Sequence, residues 1–166
     1  MKINKFSFTL LDSLIENTKV SPKHRQHHNI HESYQDPCQR LFNAIDMDSY
    51  IRPHRHLLNQ TRECLIALCG IMALIVFNDT GQVVETIRFG TEKHKNEALN
   101  IGVELPPMAW HTVIPLIPGS ILFELKEGPF DPTLAKEWAP WAPEEMTTES
   151  EIYLTKLHEL IENNLF

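Results

Sequence analysis

Between Tyr50 and Gly70 the sequence reads YIRPHRHLLNQTRECLIALCG, which places a histidine pair, a carboxylate and a tight-turn glycine in fixed order. In an extended strand, residues i and i+2 project to the same face. His54 and His56 can therefore aim both imidazoles at one point, while Arg55 faces the other way. The strand is expected to turn through 57–62, after which ECLIALCG returns as a strand and carries Glu63 back to that point. Downstream, PPMAWH delivers His111 as a fourth ligand. Neutral imidazoles with one carboxylate suit a divalent first-row metal such as Zn, Ni, Fe, Mn or Cu, with positions left for water or substrate. A lone HxH arises by accident on strand faces. Joined to a carboxylate, a spaced glycine and a distal histidine, it reads as a metal site.

This spacing, HxHx6Ex6G followed by Px4H, resembles the two-part motif of the cupin superfamily. The second half of that motif normally reads PxGxxH. Here Met108 stands where the glycine is expected, and Pro115 where an asparagine is often found. Neither departure removes a ligand. The segments HRQHHNIH, DPCQRLFNAID, SYIRPHRH, WHTVIPLIPGSILFELKEGPF and WAPWAPEE are similar to the WbuC-type cupin fold metalloproteins, over roughly residues 20–145. Members of that family are associated with O-antigen and surface-polysaccharide gene clusters. The resemblance implies a barrel with a metal inside and a homodimer. As ligand it implies a sugar, a sugar phosphate or a nucleotide sugar, and it leaves the reaction open.

The chain of 166 residues, 42% hydrophobic, suits one domain with a real core. A formal charge of −7 without a Lys/Arg cluster argues against nucleic acid as partner. No apolar run approaches the ~20 residues that span a bilayer. The N-terminus lacks an apolar signal core, and Cys38, Cys64 and Cys69 are irregularly spaced, so a cytoplasmic protein with free thiols is expected.

The elements that must position the site read as all-β: a cupin double-stranded β-helix, or jelly-roll barrel, with short N- and C-terminal helices. We divide the chain into an N-terminal helix and lead-in (1–22), the barrel (23–130), and a wrapping extension with the C-terminal helix (131–166), all one domain. Phe8, Leu11, Leu14 and Ile15 form the apolar stripe of the first helix. Gly70 is expected to close a hairpin between ECLIALC and IMALIVFND, and Asn78–Gly81 a second one. TEKHKNEALN reads as a loop. Thr148 and Glu151 are spaced as a capping box for the last helix. Trp138 and Trp141 read as packing anchors. Trp110 is either a wall of the site or an outward-facing packing residue.

Around the expected metal, Asn29 and His31 are candidate substrate groups by alternation along KHRQHHNIH, where His24 and His27 read as solvated. Asn43 interrupts an apolar strand face and is a further candidate, balanced against an ordinary core asparagine. Arg52 and Arg25 could hold a phosphate. Glu124 shares a strand face with Leu122 and Lys126; a solvent-facing carboxylate is the more common outcome, and a pocket acid the alternative. His31 and Glu124 are the available general bases for an isomerase or epimerase. The other readings are a non-enzymatic module that binds or senses a small ligand, and an Fe-dependent dioxygenase. The complete ligand set counts against the metal-free sugar epimerases.

Overall fold

The computed structural model describes residues 3–56, 62–98, 100–133 and 135–163. Strands β1 (Arg25–Asn29), β2 (Cys38–Ile45), β9 (Ser120–Glu127), β4 (Glu63–Cys69) and β7 (Gly102–Leu105) form one antiparallel sheet in that order. The second sheet runs β10 (Glu137–Trp138), β3 (His54–Arg55), β8 (Trp110–Pro115), β5 (Ile71–Phe77) and β6 (Val83–Gly90). Successive strands β3, β4 and β5 alternate between the sheets, as a jelly roll requires.

That crossing corrects the hairpin expected at Gly70. β4 and β5 belong to different sheets, and Gly70 is the corner between them. Its φ of 74° is left-handed, and a Cβ there would meet Ser120 Oγ at 2.2 Å, so only glycine fits. Both flanking strands are apolar on both faces, so periodicity alone does not separate a hairpin from a corner. The hairpin between β5 and β6 forms as expected, with Asn78 N–H donating to the Gln82 carbonyl at 2.9 Å. Most of the turn expected through 57–62 lies outside the described residues.

Alternation along the strands divides the apolar residues into three layers. Between the sheets lie Ile45, Leu65, Met72, Leu74, Phe89 and Leu122. On the outer face of the second sheet, Ala73, Ile75 and Phe77 of β5 pack under Leu154, Leu157 and Ile161 of α3 (Thr148–Asn163). On the outer face of the first, Phe42, Ala44 and Ile121 meet Leu10, Leu11, Leu14 and Ile15 of α1 (Phe8–Thr18). Burying a side chain such as Leu14 contributes about 1.5–3 kcal/mol. Phe8, expected in that stripe, is 86% exposed: it occupies the first position after the Ser7 cap, before the helix reaches the sheet.

Two further expectations change. Residues 92–98 are a 3-10 turn (Glu92–His94) and a short helix, α2 (Lys95–Ala98), held by Glu92–Lys95 and His94–Glu97 pairs, where the polar composition reads as loop. The cap of α3 is Thr147 with Ser150, not Thr148 with Glu151. Thr147 Oγ1 accepts from Ser150 N–H and Ser150 Oγ from Thr147 N–H, each at 3.1 Å. Trp141 packs on Phe77, whereas Trp138 is 43% exposed and lies beside His54.

Candidate metal centre

Strand parity aims the ligand candidates. β8 sends His111 and Val113 between the sheets, and turns Trp110 and Ile114 outward into the core under α3. Trp110 is therefore a packing residue; its indole N–H donates to Asp79 Oδ1 at 3.0 Å. β3 sets His54 directly opposite His111, and His56 follows at the same parity. β4 opens on Glu63, opposite Lys126 of β9. All four side chains are buried. The ligand atoms of His54, His56 and His111 lie within 4.8 Å of one another. Glu63 Oε2 is 3.1 Å from His56 Nε2 and 3.2 Å from His111 Nε2.

The other ring nitrogens fix the chemistry. His54 Nδ1 is 3.0 Å from the Arg52 carbonyl, His56 Nδ1 2.8 Å from that of Ala135, and His111 Nδ1 2.9 Å from that of Ala109. A carbonyl only accepts, so each Nδ1 carries the proton. In a neutral ring Nε2 is then a lone pair, and two such lone pairs face the Glu63 carboxylate. Acceptors crowded on acceptors need a shared cation, and a divalent metal supplies it. The donor set fits.

Electrostatics agree. Burial, with Lys136, His111 and His56 nearby, holds the His54 imidazole well below its usual range and so neutral. Burial by itself would raise the Glu63 carboxyl. Positive charge at the His111 and His56 Nε2 atoms, whether a proton or a metal, outweighs it together with the Lys126 charge and keeps Glu63 ionised. Burial raises Glu124 against the opposing pull of Lys126. Burial would lower Lys126, but Glu124 and Glu63 lift it to about 12.

A cavity of about 210 Å³ opens on this cluster. His54, Glu63 and His111 form part of its wall; Ile45, Leu65, Val113 and Leu122 supply apolar surface. Among the sequence candidates, Asn29, His31, Asn43 and Glu124 all line it. The His31 ring is pinned through Nδ1 to the Arg40 main chain, and its buried Nε2 has no hydrogen-bond partner; neither has the buried Asn43 Oδ1. Glu124 is buried and bonded to Lys126, which corrects the solvent-facing expectation. The sheet places Leu122, Glu124 and Lys126 on the inner face because Ile121 and Phe123 are taken by α1.

Arg52 does not line the cavity: its guanidinium donates to the Ala139 carbonyl at 2.9 Å. β3 begins only at His54, after Pro53, so alternation does not extend back to Arg52. Arg25 does line it, but is tied to Glu145 at 2.8 and 2.9 Å. His27, read as solvated, also lines it. Burial, with Lys136, Arg25 and Lys126 around it, pushes His27 down to about 4. Lys126, Lys136, Tyr34 and Phe130 also line the cavity, and none of them is a candidate from the sequence. Alternation with Glu124 signals Lys126; nothing local signals Lys136.

The profile of the family described as Domain of unknown function (DUF6016) matches residues 6–89, half of the chain. The chain belongs to this family. For this DUF6016 member no curated protein gives a match. Solved structures do. Protein SO0799 from Shewanella oneidensis is 8% identical with a TM-score of 0.59, covering 91% of this chain and 94% of that one. The capsular polysaccharide assembling protein CapF from Staphylococcus aureus is 15% identical with a TM-score of 0.52, covering 68% of this chain and 28% of that one. Oxalate decarboxylase from Bacillus subtilis is 11% identical with a TM-score of 0.50, covering 69% and 27%. The chain thus spans under a third of CapF and of the decarboxylase, and these likenesses establish the fold alone. That fold is the cupin jelly roll. With the buried three-histidine group, it supports a metal-binding cupin. No described helix is long and apolar enough to cross a membrane.

Proposed function

We propose that His54, His56, Glu63 and His111 hold one divalent transition metal, and that the adjoining cavity binds and acts on a small sugar-type metabolite. The observation that carries this reading is the convergence of imidazole lone pairs and the Glu63 carboxylate while every Nδ1 is occupied by a carbonyl. When bound, such a metal supplies a Lewis acid for oxygen atoms of the ligand. The chain's own residues do the rest. Asn43 Oδ1 and His31 Nε2, buried and unpartnered, orient hydroxyl groups. Glu124, its carboxyl raised by burial, is placed to hold or accept a proton, and His31 is the other candidate. Lys126 keeps Glu63 and Glu124 together.

The resemblance to WbuC-type proteins, and the fold shared with a capsular polysaccharide assembling protein, support a role in making surface polysaccharide. The cavity, about 210 Å³, is below the roughly 300–1,000 Å³ of sites that enclose drug-sized ligands, which favours one sugar unit over a whole nucleotide sugar. Cobalt(II)-loaded protein, titrated with neutral, acidic and phosphorylated monosaccharides, tests this. A change in the cobalt visible spectrum with at least one of them is expected. A cobalt-loaded protein blind to all of them would sink the sugar reading.

A further inference from the structure

The cavity carries three cationic side chains, and their partners differ. Arg25 is tied to Glu145, and Lys126 to Glu124 and Glu63. Among the described residues no carboxylate pairs with Lys136, whose one close aromatic neighbour is Trp138, with Nζ 5.5 Å from the ring centroid. Its position follows from the strand pairing. β10 runs antiparallel to β3 with Glu137 opposite Arg55 and Trp138 opposite His54. One step further, Lys136 falls opposite His56, at the parity of the histidines and not of Arg55. Ala135, its neighbour, accepts from His56 Nδ1, so the segment that braces the metal candidates also delivers the ammonium.

The remaining groups differ in kind from Lys136. Asn43 Oδ1 is a buried acceptor without a donor, and His31 Nε2 is equally unpartnered. Both line the cavity with Lys136. One ammonium without a paired carboxylate, on which Glu124 and Glu63 act only from beyond ion-pair distance, accepts one negative charge; the orphaned polar atoms ask for hydroxyls. The apolar lining and small volume limit the rest of the molecule.

From this we infer that the ligand is a small polyhydroxylated carboxylate, a sugar acid, with its carboxylate on Lys136 and its hydroxyls on Asn43 and His31. This rests on the metal-cupin reading above and names the class of molecule that the site takes. Phosphate is disfavoured: a phosphate monoester carries nearly two negative charges, and with Arg25 occupied by Glu145 the cavity offers it only one unpaired ammonium. Burial, followed by the Lys126 charge, pushes the Lys136 ammonium down to about 8, a cost that a bound carboxylate would offset.

Calorimetric titration of the zinc-loaded full chain decides the matter. The probes are D-glucuronate, D-galacturonate, D-gluconate and glycolate against D-glucose, D-galactose and D-glucose 6-phosphate. At least one sugar acid is expected to bind tenfold or more tightly than its neutral counterpart. Lys136→Gln removes that advantage and Lys136→Arg keeps most of it, with zinc content and melting temperature unchanged in both. Sugar acids that bind no better than neutral sugars, a preference for the phosphate, or a preference that survives Lys136→Gln overturns the inference. Zinc content, read separately by elemental analysis, tells the two readings apart. A chain that takes up no zinc but still prefers sugar acids through Lys136 loses the metal reading and keeps this one.

Discussion

His54 and His111 stand directly opposite each other on β3 and β8, with ring centroids 4.5 Å apart. This one pairing joins the two halves of the candidate centre, because His56 and Glu63 follow His54 in the chain while His111 arrives on the distant strand β8. β3 is only two residues long, so its place depends on its neighbours β8 and β10. The contacts of Arg55, on the opposite face, become part of the metal site's support.

Arg55 lies 4.3 Å from the Trp110 ring centroid and pairs with Glu137 and with Asp79, the latter at 3.7 Å. Arg55→Ala removes the clamp between β3, β10 and the β5–β6 turn. It is 23% exposed, so solvent screening limits the loss to about 1 kcal/mol, mostly from the cation–π contact. Chemical denaturation measures that loss, and competition with a chromophoric chelator is expected to show metal held several-fold less tightly. An unchanged metal affinity would separate Arg55 from the centre.

Met108 has φ 64°, left-handed backbone in a residue with a Cβ, just before the strand that presents His111. The cupin motif usually has glycine there, and this chain keeps the conformation without the residue that suits it. Met108→Gly relieves about 1 kcal/mol of backbone strain, less the extra freedom that glycine gives the unfolded chain. A higher urea midpoint at unchanged metal content is expected. A lower midpoint would mean that the half-exposed Met108 side chain contributes more than its backbone costs.

Glu145 gathers Lys23 at 2.7 Å and Arg25 at 2.8 Å, and so ties the start of β1 to the segment before α3. Burial alone would raise its carboxyl, but the bonds from Lys23 and Arg25 outweigh it, and the folded-state pKa is lowered. A depressed carboxylate stabilises the fold above its unfolded pKa, about 4.3, and that stability is lost as pH falls through the folded value. The stability gap between the parent and Glu145→Gln should therefore be full at neutral pH and shrink below about pH 4. A gap independent of pH would remove the charge from the explanation.

The sequence carries the fold and the ligand candidates through two signals: period-two alternation and the HxH…E…H spacing. The structure brings the side chains of His54, His56, Glu63 and His111 together. What sequence leaves open depends on which sheet a strand joins. ECLIALC and IMALIVF are apolar on both faces, so the Gly70 corner reads as a hairpin. Glu124 and Lys126 read as a surface pair until α1 is seen to cover Ile121 and Phe123, which turns their face inward. Lys136 enters only through its register with β3, and Arg52 is lost to the cavity because the strand starts after Pro53. Thr147 displaces Thr148 as the cap because helix ends shift by a residue without changing the pattern.

A metal held by three histidines and Glu63 underlies every other role assigned to the cavity. Elemental mass spectrometry on protein purified without a polyhistidine tag, beside a His54→Ala/His111→Ala variant, tests it most directly. Near-stoichiometric zinc, nickel, iron or manganese in the parent, and its loss from a variant that still folds by circular dichroism, is the expected result. A parent that stays free of metal even after incubation with each ion would rule out a metal centre at these four residues.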